Sequence, residues 1–102
     1  MLYMATSTFP LESAVDAGKV FVEALSKQLN YVNRVGMWLC YGGEGIRTWS
    51  VYELTKGHED EGIKELVNYY TAYYKIEGYK VEIHSVLKPE DALPLIGIAP
   101  PS

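Results

Sequence analysis

Hydrophobic periodicity along this chain changes in a fixed order: strand, helix, strand, glycine turn, strand, helix, strand. A β-like run at Leu2–Phe9 opens it, and a helical stretch follows over Ser13–Leu29. Val32–Tyr41 then reaches Gly42-Gly43-Glu44-Gly45, and Ile46–Leu54 runs back beside it as a hairpin. A second helical stretch covers Glu59–Ile76, and Tyr79–Leu87 is the last strand. A chain of 102 residues has room for one core but not for two, so these elements must share it. The expectation is one domain over 1–97 and a flexible C-terminal tail over 98–102, where Pro100 and Pro101 block further pairing.

The two helical stretches carry different surfaces. In the first, Ser13-x-x-Asp16 has capping-box spacing, and Val15, Gly18, Val22, Leu25 and Leu29 recur on one stripe that should face the sheet. Gly18 sits in that stripe although glycine costs roughly 1 kcal/mol against alanine in a helix interior. It serves either a close helix–sheet approach or room left for a ligand. The second stretch opens with Glu59-Asp60-Glu61, where the helix dipole favours negative charge, and stops before Gly78. Its expected core stripe is Ile63, Leu66, Val67, Tyr70 and Tyr74, with Tyr69 and Tyr73 as a neighbouring ridge. So many tyrosines in one short segment suit an interface or a pocket rim, because each joins a large apolar ring to a hydroxyl that needs a partner.

The hairpin decides which side chains share a face. A turn of two or of four residues puts Tyr41 opposite Ile46 and therefore Trp38 opposite Trp49. Alternation then gathers Gly36, Trp38, Cys40, Arg47, Trp49, Val51 and Glu53 on one side, and Val35, Met37, Leu39, Ile46, Thr48, Ser50 and Tyr52 on the other. Val81 and Ile83 of the last strand should face the helices, leaving Glu82, His84 and Val86 on the far side. The helices cover one face only. The other is left with both tryptophans, a valine and Tyr3, an apolar patch that a lone chain would not leave to water.

This βαββαβ order is that of the ferredoxin-like fold: α+β, a four-stranded antiparallel sheet in the order 4-1-3-2, two helices on one face and a short C-terminal arm. The fold hosts many functions and names none. Over Leu2 to about Leu87, the element order and the apolar sheet face resemble the dimeric α+β barrel superfamily. Its members pack two such sheets face to face and include cofactor-independent monooxygenases, muconolactone-type isomerases and small stress-responsive proteins. The resemblance implies a homodimer with a small-molecule pocket near the aromatic residues, walled by sheet and helices. It carries over no catalytic residue.

The expected function is therefore binding of a small apolar or aromatic molecule by a homodimeric accessory or pathway protein, with Tyr3, Trp38, Arg47, Trp49 and His84 as the candidate ligand-binding set. A cofactor-independent monooxygenase or isomerase is the alternative, with His84 as base and Arg47 or a tryptophan N–H steering an oxyanion. A purely structural or regulatory oligomer is the second alternative. Arg47 pairs equally well with Glu44 or Glu53, and Cys40, between Leu39 and Tyr41, reads as a buried inert thiol. His58 should help open the second helix.

Composition removes other classes. A hydrophobic fraction of 48% with 22% charged residues excludes a disordered chain. Thirteen acidic residues against nine basic make nucleic acid and anionic membrane poor partners. RNA-recognition modules share this strand order, and Leu2-Tyr3-Met4 and Arg47-Thr48-Trp49-Ser50-Val51-Tyr52 loosely resemble their two short motifs. Yet Thr48 stands where glycine is expected and Val51 where a second stacking aromatic is expected. One cysteine forms no intrachain disulfide, fits a reducing cytoplasm and makes no thiolate metal cluster, so no metal or cofactor is expected. No apolar run approaches the roughly 18 residues of a membrane span. In the arm, Pro89 suits the first turn of a short helix and Pro94 its end, while Leu93, Leu95 and Ile96 need cover from the sheet edge or from a partner subunit.

Overall fold

Strands β1 (Leu2–Phe9), β2 (Val32–Gly42), β3 (Gly45–Leu54) and β4 (Lys80–Val86) pair antiparallel in one sheet, in the order β2-β3-β1-β4. Taken from the β4 edge, the neighbours run β4-β1-β3-β2. The structure, a computed structural model, describes residues 1–99; positions 100–102 of the expected tail lie outside the described residues. Helices α1 (Ala14–Leu25) and α2 (Glu59–Thr71) pack on one face of the sheet, and a short helix α3 (Pro89–Ala92) follows β4.

Register fixes the two faces. The hairpin closes through Gly43-Glu44, with Gly42 opposite Gly45, Tyr41 opposite Ile46 and Trp38 opposite Trp49. Gly45 takes φ +120°, and an added Cβ there would stand 2.4 Å from the Phe9 carbonyl oxygen, so the turn needs glycine. Ala5, Ser7 and Phe9 of β1 lie opposite Ser50, Thr48 and Ile46 of β3, and all six are buried beneath the helices. On the other face Cys40, Arg47, Thr8 and Lys80 form one cross-strand row. Trp38, Trp49, Thr6 and Glu82 form the next, followed by Gly36, Val51, Met4 and His84.

Two expectations about faces fail. Tyr3 lies opposite Tyr52 and so belongs to the helix side, away from the tryptophans. In β2 a bulge between Arg34 and Gly36 inserts Val35, so that Arg34 lies opposite Tyr52 while Gly36 lies opposite Val51. Strict alternation puts Arg34 on the open face; the extra residue turns it under the sheet and leaves Val35 exposed.

The helices are shorter and rotated relative to the sequence expectation. Helix α1 ends at Leu25 rather than Leu29, because both carboxylate oxygens of Glu65 accept the backbone N–H groups of Asn30 and Tyr31, at 2.8 and 2.7 Å, and draw the chain towards α2. The capping box does not form. A 3-10 turn at Leu11–Ser13 leads into the helix, and the Ser13 hydroxyl donates instead to the Glu77 carbonyl at 2.8 Å. Helix α2 stops at Thr71 rather than Ile76, where i to i+3 backbone bonds tighten the chain before Gly78. Inside, α1 presents Ala17, Val20 and Ala24, and α2 presents Leu66, Tyr69 and Tyr70. The larger Val15, Val22 and Leu25 face outward, as do Tyr74 and, in part, Val67. Tyrosine rings already take the interior volume, and only a small-residue face of α1 fits against them.

Candidate functional site

The sheet floor beneath the helices is made of small hydroxylated residues. Ser7, Thr48 and Ser50 occupy central core positions where strands usually carry β-branched aliphatic residues, and the Ser7 and Thr48 hydroxyls bond to each other. Above them stand the rings of Tyr69, Tyr70 and Tyr73 on and just beyond α2, which are stiff and cannot collapse into the space the serines leave. The result is a cavity of about 240 Å³ between sheet and helices. Phe9, Phe21 and Ile46 form its apolar walls, and Leu39 and Tyr41, both more than half exposed, line it from β2.

Gly18 lines this cavity, and a Cβ built on it meets nothing within 4 Å. The close-approach reading of Gly18 therefore fails. Close approach is the business of Gly62, where an added Cβ would come within 2.8 Å of Leu54 Cγ and 3.1 Å of the Tyr31 carbonyl oxygen. Gly18 is exposed, and it stands where the cavity opens to the surface.

The polar centre of the cavity is Arg34. Its Nη2 donates to the hydroxyls of Tyr52 and Tyr69, each at 3.0 Å, and the Tyr52 and Tyr70 hydroxyls are bonded at 2.7 Å. The guanidinium carbon lies 5.4 Å from the ring centres of Phe21 and Tyr52 and 5.7 Å from that of Tyr69. Burial works against its charge, but the hydrogen bonds and attraction of Tyr52 and Tyr69 outweigh this and hold Arg34 above its ordinary range. Burial, then Tyr52, pushes Tyr70 far up; burial, then Tyr69, does the same to Tyr73; and burial pushes Tyr79 up to about 12. All three phenols thus stay protonated at neutral pH. The lining contains no carboxylate, imidazole or thiol.

The sequence-derived candidates sit elsewhere. Trp38, Arg47, Trp49 and His84 share the open sheet face, Tyr3 points the other way, and none lines the cavity. Trp38 is 57% exposed and leans along β2 over Gly36, where an added Cβ would come 2.5 Å from its ring. His84 is exposed and bonds to Glu82 at 3.1 Å. Arg47 pairs with neither Glu44 nor Glu53, and Cys40 is exposed rather than buried, because the face it occupies is the uncovered one. His58 occupies the N-cap position of α2 without a side-chain cap bond, stacks on Tyr31 with ring centres 4.4 Å apart and approaches Glu61 at 3.4 Å. Among the described residues, no cluster of His, Cys, Asp or Glu has metal-holding geometry, and no helix is long and apolar enough to cross a membrane.

Sequence reasoning missed Arg34 entirely, since nothing local announces the bulge. The two hydroxyl residues at the core-facing positions 48 and 50 were a visible signal of an unfilled, polar-floored interior.

No protein-family profile matches the chain, and no curated protein matches its sequence. Among solved structures it is similar to a formyltetrahydrofolate deformylase from Pseudomonas putida KT2440, with a TM-score of 0.51 and 10% sequence identity. The likeness covers 87% of this chain but only 30% of that one, so the chain spans less than a third of that protein's length. At such identity the likeness is one of fold: an α+β chain with a four-stranded antiparallel sheet, compatible with a ferredoxin-like architecture.

Proposed function

We propose that this chain is a small-molecule-binding subunit of a homodimer of the α+β barrel type, with its ligand site in the cavity under the sheet. The observation that carries this reading is the half-open cavity itself, with exposed Gly18 at its mouth. At about 240 Å³ it lies between a pocket that holds one benzene ring and the range of roughly 300–1,000 Å³ for drug-sized ligands. One or two rings fit. The lining favours binding over catalysis: raised tyrosines are donors, not bases, and no other group there takes a proton near neutrality. The oxygenase or isomerase alternative loses its base, because His84 lies outside the cavity. A purely structural oligomer leaves the cavity around Arg34 without a purpose.

The open sheet face supports the dimer. Trp38, Trp49, Val51 and Met4 make an apolar centre over β2, β3 and β1, bordered on β4 by Glu82 and His84, while Arg47 and Lys80 mark one end of the strands and Glu53 the other. A two-fold axis that reverses strand direction lays the basic end of one sheet on the acidic end of its partner. Leu95 and Ile96, 75% and 72% exposed after α3, offer further apolar surface.

Sedimentation at micromolar concentration is expected to give a dimer for the native chain and a monomer for Trp38→Glu. Melting is then followed with one- and two-ring compounds, whose binding raises the native midpoint but not that of Gly18→Leu, which sets a bulky side chain at the cavity mouth. A native monomer, or midpoints unmoved by every compound, contradicts the proposal.

A further inference from the structure

Arg34 is half-buried, and among the described residues no carboxylate pairs with it. A cation drawn into an apolar wall is ordinarily matched by an acid, because isolated charge is costly to desolvate. Here neutral phenols take that place, and they are arranged in one direction. Both Nη2 bonds run from Arg34 to tyrosine oxygens, which leaves the hydroxyl protons of Tyr52 and Tyr69 turned away from the guanidinium. Tyr52 is only 1% exposed, and its proton has one partner within reach, the Tyr70 oxygen at 2.7 Å. Tyr70 has Ser50 as its further hydrogen-bonding neighbour, and Tyr69 has Tyr73. Nη1 has no protein partner and is not occluded, and Nε is buried with none at all. The cavity therefore holds one positive charge whose Nη1 and Nε are free of protein partners, with no charged acceptor beside them.

From this we infer that the ligand is a small monoanionic acid, a carboxylate on an apolar body of one or two rings, held with its carboxylate on Arg34, Tyr69 and Tyr70 and its rings against Phe9, Phe21 and Ile46. The inference rests on the cavity being the ligand site. A single guanidinium with phenol donors matches one negative charge, where a phosphate dianion calls for further cations. The serine floor gives the rings their space, and exposed Gly18 leaves the mouth clear.

Titration calorimetry on the full chain with benzoate and 2-naphthoate, each beside its neutral primary amide, separates the two claims. At least one acid is expected to bind ten times or more tightly than its amide. Arg34→Gln should abolish that preference, and Tyr69→Phe, which removes one hydroxyl and keeps the ring, should weaken the acid several-fold. Gly18→Leu should remove binding of acid and amide together, with circular dichroism confirming that each variant folds. Equal binding of acid and amide, still lost in Gly18→Leu, overturns the anion assignment and leaves the cavity as the site. Binding that survives in Gly18→Leu, or none by any of the four probes, overturns both.

Discussion

At Gly18 the identity of a single residue separates packing from function. A glycine held for close approach would tolerate no methyl group; one that keeps volume open gains from it. Gly18→Ala is expected to raise stability by up to about 1 kcal/mol in denaturant unfolding, through helix propensity alone. A loss of comparable size would mean that the helix is pressed against something there. The tyrosines make a second test at this scale. Their folded-state values lie above the unfolded value of about 10, so folding favours their protonated form. That contribution is complete below about pH 10 and is lost as pH rises through the folded values, first through the one near 12 at Tyr79. Unfolding free energy should therefore fall steeply between about pH 10 and 12, with absorbance near 295 nm showing tyrosinate formed together with unfolding. Phe in place of Tyr70 or Tyr73 should flatten the fall. Tyrosine's double character was legible in the sequence, which pointed to a pocket rim; which of the four rings turn inward was not, because Tyr69 and Tyr70 both do and Tyr74 does not.

Among the elements, β3 was read correctly face by face, since its alternation is unbroken and the glycine turn fixes its register against β2. The β2 strand was read correctly only from Gly36 onwards, because one inserted residue reverses the parity of everything before it, and the inserted Val35 looks like any strand residue. Helix α1 misled for a different reason. Two apolar stripes compete on it, one of valine and leucine and one of alanine, and hydrophobicity alone favours the larger side chains. The interior selects the smaller stripe because α2 has filled the space with rings. Val22→Glu, on the outward stripe, should change stability by no more than about 0.5 kcal/mol, whereas Leu66→Ala, with no exposed surface, should cost about 2–5 kcal/mol. A severe loss from Val22→Glu in a chain that remains monomeric would show that the stripe assignment is inverted.

For the whole molecule, chain order gave the α+β architecture and the side on which the helices lie, because four strands and two helices in one small core have few ways to pack. It also gave an open face with paired tryptophans, and from that face it drew the ligand. In the proposal these roles divide: the tryptophan face takes a second subunit, and the ligand takes the half-open cavity on the opposite side of the sheet, around Arg34. That division is open to one direct measurement, amide and indole NMR shifts of the native chain titrated with 2-naphthoate. Shifts should concentrate at Gly18, Phe21, Arg34, Leu39 and Tyr69, with the indole N–H signals of Trp38 and Trp49 unmoved as the acid saturates. Indole signals that move while Gly18 and Arg34 stay still would put the ligand on the open face and leave the cavity without a function.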